Sequence, residues 1–153
     1  MISTSTSIKA HCDVAHPRDR VFRHWTSPET RKRWEVGSDT DLSQVNFDMR
    51  VGGEEIVEIR KSGQVIGKMI QSVHEFIENE LVATTTRYTV EDETTMLMQL
   101  ALEFSDIEGG TRISALAQVI DLTGANVTDQ HRSGWEWIFA RFEGDIATNG
   151  LIK

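Results

Sequence analysis

The clearest period along this chain is two. Met96, Met98, Leu100, Leu102 and Phe104 occupy every second position, and Ile113, Ala115, Ala117 and Val119 do the same beyond a Gly109-Gly110 turn. Strict alternation of this kind marks strands with one buried face. Weaker versions predict further strands at 8–14, 45–49, 55–59, 65–76 and 81–90. Turn signals separate them at Gly52-Gly53, Lys61-Ser62-Gly63, Glu78-Asn79-Glu80 and Glu91-Asp92-Glu93. The links are too short for parallel crossovers, so the strands form an antiparallel meander.

Three segments carry the helical period instead. Val21, Phe22 and Trp25 follow His16-Pro17, and His16 is expected to cap that start. Ser27-Pro28-Glu29 opens a second short helix, running to about Trp34 and ending near Gly37, with proline at a first-turn position. From Asn126 to Thr148, Trp135, Ile138, Phe139, Phe142 and Ile146 fall on one face of a long helix, and Asn149-Gly150 stops it. The order predicts an α+β fold in which a curved antiparallel sheet of six or seven strands wraps the C-terminal helix. The two short helices follow the first strand. Sheet and helix cannot close everywhere, and the gap is a natural ligand cavity.

Composition agrees. Valine and isoleucine number 25 in 153 residues, against 8 leucines, a bias toward strands. One domain spanning 1–153 is expected, with 1–7 a flexible lead-in. A net charge of −8 argues against nucleic acid and anionic lipid as partners. Arg31-Lys32-Arg33 is the one local basic cluster, and a solvated helix face explains it. Cys12 has no partner for an internal disulfide, and its neighbours His11 and Asp13 do not make a metal site with it. The first residues lack a secretory pattern, and no run approaches the ~20 apolar residues of a membrane span. A cytoplasmic protein is expected.

The run His16-Pro17-Arg18-Asp19-Arg20-Val21-Phe22-Arg23-His24-Trp25-Thr26-Ser27-Pro28-Glu29 resembles the opening of activator-of-heat-shock-ATPase homologue domains, members of the START-like, or SRPBCC, superfamily that includes the birch pollen allergen fold. Arg33-Trp34, Phe47-Asp48-Met49-Arg50-Val51-Gly52-Gly53, Gly109-Gly110-Thr111 and Gly134-Trp135 resemble later landmarks. Relatives carry a second aromatic after the Arg-Trp pair, where this chain has Glu35. The resemblance implies a helix-grip fold and a small hydrophobic or aromatic ligand between sheet and helix. It also brings two other readings: cyclase, dehydratase or hydrolase-like chemistry in the same cavity, and a co-chaperone-like interaction module. The eukaryotic co-chaperone's additional N-terminal domain and linker do not fit in 153 residues.

Candidate ligand-binding residues are Trp25, Trp34, Phe47, Arg50, His74, Tyr88, Met96, Met98, His131, Trp135 and Phe139. His74 shares strand parity with Ile66, Ile70 and Phe76, so it is the candidate for bonding a ligand if that face turns inward. Catalysis would need a polar pair such as His74 with Arg87, Glu58 or Tyr88. Asp48 and Arg50 share a face, which favours their pairing with each other. Gly134 costs about 1 kcal/mol inside a helix, and close approach of a neighbour is the expected reason. Glu54-Glu55 and Glu91-Asp92-Glu93 are expected at solvated hairpin ends. No metal spacing, nucleophile elbow or phosphate loop is present, so neither metal nor cofactor is expected. A homodimer is left open, since Trp137 and Phe142 lie on different sides of the long helix.

Overall fold

The computed structural model describes residues 2–126 and 128–153. Its elements run β1 (Thr4–Val14), α1 (Arg18–Thr26), α2 (Pro28–Trp34), β2 (Leu42–Phe47), β3 (Glu54–Lys61), β4 (Gln64–Ile77), β5 (Leu81–Val90), β6 (Glu93–Ile107), β7 (Gly110–Asp121) and α3 (Thr128–Asn149). Every strand pair is antiparallel, and the sheet order is β1-β7-β6-β5-β4-β3-β2. β2 to β7 are therefore a meander, and β1 joins its far edge. Since β1 and β2 lie at opposite edges, α1 and α2 carry the chain from one to the other. β1 starts four residues before the expected Ile8, because Thr4–Ser7 pair with Gln118–Asp121. The expected cap at His16 is absent: Pro17 holds the N-cap position and makes no side-chain bond.

The inner sheet face collects the alternating residues. Ile8, Cys12, Leu100, Leu102, Phe104, Ile113, Ala115, Ala117 and Val119 are buried there with Val21, Phe22 and Trp25 from α1 and Trp34 from α2. The alternation slips once where it matters. β4 carries a bulge between Val73 and Glu75, so Phe76 turns inward opposite Val82 while His74 stays on the outer face. Phe76 then meets Phe22 edge-to-face at 5.3 Å.

α3 is held by its C-terminal half. Phe142 is fully buried among Trp25 (4.9 Å), Trp34 (5.3 Å) and His24 (5.5 Å), and Phe139 and Ile146 flank it. Beside them the Asp145 carboxylate, 4% exposed, accepts from Arg33 Nε (2.9 Å) and Nη2 (3.0 Å), His24 Nε2 (2.8 Å) and Asn149 Nδ2 (2.9 Å). The Ile152 N–H donates to His24 Nδ1 (3.0 Å), which fixes the proton on Nε2 and makes His24 the donor to Asp145. Arg33, 43% exposed, stays on the expected solvated side of the basic cluster while its guanidinium is tied to Asp145; Arg31 is the member that is buried.

Burial holds His24 below the ordinary histidine range, against the opposing pull of Asp145. It stays neutral when folded and gains a proton when unfolded below about pH 6.5, so stability falls as pH drops through that value. Against its burial, Asp145 is held below its ordinary value by Arg33, His24 and Asn149, so its stabilisation is full above about pH 3.8 and is lost only as pH falls below that value. In urea titrations from pH 8 to 5, the stability that His24 contributes is lost below about pH 6.5 and is read as the difference from His24→Gln, in which Glu35 cancels. His24→Gln lowers stability by about 1–3 kcal/mol at pH 8, and the difference between the two proteins shrinks toward pH 5. His131, also lowered by burial, acts with the same sign in both and cancels.

Candidate functional site

The N-terminal half of α3 stands off the sheet. Between them lies a cavity of about 320 Å³, within the range of small-molecule sites. Trp25, Trp34, Leu42, Val57, Met69, Tyr88, Met98 and Leu100 form its floor and walls, and His131, Gly134, Trp135, Trp137 and Ile138 on α3 form its roof. Strand register explains the floor. Glu55 faces Gln71, Gln71 faces Thr86 and Thr86 faces Met98, while one row along Val57, Met69 and Tyr88 line up in the same way. One end of an apolar space is thereby lined by Glu55, Gln71 and Thr86, with Glu35 reaching in from the end of α2.

Arg31 organises that end. Its Nε and Nη2 reach the Glu35 carboxylate at 3.0 and 3.1 Å, and Nη2 reaches Glu55 at 2.7 Å. Glu55 also accepts from Gln44 Nε2 (3.2 Å) and Gln71 Nε2 (3.0 Å). The guanidinium is covered by ring faces, its carbon 4.9 Å from the Trp34 centroid, 5.4 Å from Phe47 and 5.8 Å from Trp25. One cation thus faces two carboxylates. Burial pushes the Glu35 carboxyl well above the usual carboxylate range, and the neighbouring Glu55 adds to the push against the pull of Arg31. Tyr88 is raised to about 12, by burial first and then by Glu35 and Glu55.

Of the candidates read from the sequence, the structure brings Trp25, Trp34, Tyr88, Met98, His131 and Trp135 to this cavity. It places the others elsewhere. His74 is exposed on the outer face and bonds Thr85 Oγ1 at 2.7 Å, a consequence of the β4 bulge. Neither Arg87, which is exposed and reaches Thr94, nor Glu58, which pairs with Arg60, forms the proposed polar pair with it. Arg50 is 76% exposed and bonded to Asp48, in the turn where Gly53 passes so close to the Asp48 carbonyl that no side chain fits. Phe47 covers Arg31 outside the cavity, and Met96 and Phe139 are packed in the core.

Two residues correct the sequence reading, and a third has no role in it. Arg31 and Glu55 are buried, not solvated, and Glu35 lines the cavity together with Glu55. The signals were present: Arg31 lies three residues before the core Trp34 on one helix face, Glu35 four after Arg31, and Glu55 shares strand parity with Val57. Gly134 also has a different reason from close packing, since a Cβ built there meets nothing within 4 Å and the residue borders the cavity.

A seven-stranded antiparallel sheet curled around a long C-terminal helix, with a cavity under that helix, is the helix-grip fold of START-like proteins. The chain belongs to the family described as Activator of Hsp90 ATPase homolog 1-like protein, whose profile matches residues 15–144. Among solved structures it is similar to an uncharacterised protein from Rhizobium leguminosarum (19% identity, 97% of this chain and 98% of that one, TM-score 0.87) and to the Mll3558 protein from Rhizobium loti (18%, 95% and 99%, TM-score 0.84). It shares the fold with Ara h 8.0201 at 13% identity, over 95% of this chain and 100% of that one, with TM-score 0.71. No curated protein matches the chain significantly. Among the described residues no helix is long and apolar enough to cross a membrane, and no group of three or more His, Cys, Asp or Glu side chains is placed to hold a metal ion.

Open space above Gly134 makes one substitution informative. Gly134→Ala adds a good helix former without a clash, so it should raise stability by about 0.5–1 kcal/mol in urea denaturation. Equal or lower stability would mean that α3 sits closer to the sheet than the cavity requires.

Proposed function

We propose that this protein binds a small, largely apolar or aromatic molecule in the cavity between its sheet and α3. The observation that carries the reading is the half-open cavity itself, walled by tryptophan, methionine and Tyr88 and closed at one end by the Arg31, Glu35 and Glu55 cluster. Apolar walls supply affinity by desolvation, and a few polar groups orient the occupant. Aromatic and polar side chains converge inside the molecule, which supports a ligand over the chaperone contact that the family's description suggests.

A catalytic use of the cavity has one observation in its favour. A carboxyl held above its ordinary range beside a ligand is what general acid–base chemistry requires, and here that group is Glu35. The reading needs product formation from a cavity ligand that stops in Glu35→Gln; a ligand that binds and leaves unchanged removes it.

The binding reading is tested by native mass spectrometry of the purified protein and by thermal shift with a neutral hydrophobic probe, Nile red. Saturation at about 100 times Kd should stabilise the fold by about 2.7 kcal/mol, a rise in Tm of several degrees. Gly134→Trp, which fills the cavity from the roof, should keep the fold and abolish that rise. A shift that survives the substitution would place binding elsewhere.

A further inference from the structure

The polar end of the cavity carries more acid than base. Glu35 and Glu55 share the single guanidinium of Arg31, and among the described residues lining the cavity there is no lysine or arginine. The groups facing Glu35 are Arg31 from α2 and Glu55 from β3, with Tyr88 from β5 and His131 from α3 across the cavity. His131 is kept neutral by its burial. The two arginines of α3 lie outside the lining: Arg132 is exposed and paired with Asp129, and Arg141 is committed to Asp39 and the Trp34 carbonyl. Both carboxylates border the space; Glu55 accepts from Arg31, Gln44 and Gln71, whereas Glu35 is bonded only by Arg31. Around them the indoles of Trp25, Trp34, Trp135 and Trp137 and the Tyr88 phenol present rings, whose faces attract cations.

We propose that the cavity takes a molecule with an aromatic or alkyl body and a protonated amine, the ammonium seating against Glu35 beside Glu55. The inference rests on the reading that the cavity binds a ligand. Two carboxylates sharing a single guanidinium beside an apolar space favour a proton on Glu35 in the empty protein. An ammonium supplies the same compensating charge. The exchange is balanced: the carboxylic acid and the ammonium ion give a carboxylate–ammonium pair and one proton released to solvent. A neutral ligand releases none, and a carboxylate ligand meets a field that already opposes ionisation of Tyr88.

Three probes with one ring system separate the cases: tryptamine, the neutral alcohol tryptophol, and indole-3-acetate. Calorimetry at pH 7 in phosphate and in Tris counts protons from the difference in buffer ionisation heat. Tryptamine should bind about tenfold or more tighter than tryptophol, indole-3-acetate weakest, with up to one proton released per tryptamine. Affinity for tryptamine should rise by up to about tenfold per pH unit until Glu35 is ionised in the free protein, then level off. In Glu35→Gln the preference and the proton release should vanish while tryptophol affinity stays within about threefold. Proton release by the wild type is independent of how that variant folds. Equal or tighter binding of tryptophol or indole-3-acetate, or tryptamine binding without proton release, would overturn the amine. So would Nile red binding with none of the three indoles, a result that leaves cavity binding standing. Failure of Nile red as well would remove both readings.

Discussion

Asp145 is the point on which the arrangement of helices depends. A carboxylate this deep is tolerated only when its oxygens are saturated by charged or polar donors, because the cost of removing a charge from water is several kcal/mol. Arg33 from α2, His24 from α1 and Asn149 from α3 itself supply them. The node therefore ties three helices that the sheet alone would not hold in one orientation. His24 extends the tie, since its other nitrogen accepts the Ile152 N–H just beyond α3. Phe142, stacked among Trp25, Trp34 and His24, adds the apolar part of the same clamp.

The clamp grips only one end of α3, and the cavity follows. Four turns of helix pinned at Phe142, Asp145 and Ile146 run out over a sheet that curves away, so the roof residues between His131 and Ile138 hang above the strands. Gly134 widens the space, and Trp135 packs back on Phe139 at 5.6 Å to close the inner edge. Trp137 on the other flank remains 44% exposed beneath the Arg141 guanidinium, 4.8 Å from its ring centroid. Tightening the roof would require moving the clamp, in which Phe142 is fully buried.

Local periodicity carried the fold in the sequence. Period two in β6 and β7 and period 3.6 in α3 are driven by burial against the core, which is what such patterns record. The cavity was half readable for the same reason: Trp25, Trp34, Tyr88, Met98 and Trp135 lie on the buried parity of their elements. What failed had two physical causes. A bulge changes parity without changing composition, so His74 and Phe76, alike in sequence position, face opposite sides. The second cause is that a buried ion network looks, residue by residue, like a solvated one. Arg31 in a basic run and Glu55 in an acidic pair become interior only because strand and helix bring them within 2.7 Å.

The two buried clusters are built on opposite principles, and the contrast locates the functional end. At Asp145 one carboxylate meets one guanidinium and a neutral imidazole, so the charge balances and stability gains from every bond. At Glu35 two carboxylates meet one guanidinium, so the cluster is balanced only by a proton. A fold selected for stability alone would have filled that end with an aromatic ring or a second cation. Real proteins depart from such local rules where a site must be left unsatisfied until its partner arrives. The departure here adjoins the apolar cavity and lies at the unclamped end of α3, where entry does not disturb the Asp145 node. Constraint at one end of the helix thus permits incompleteness at the other.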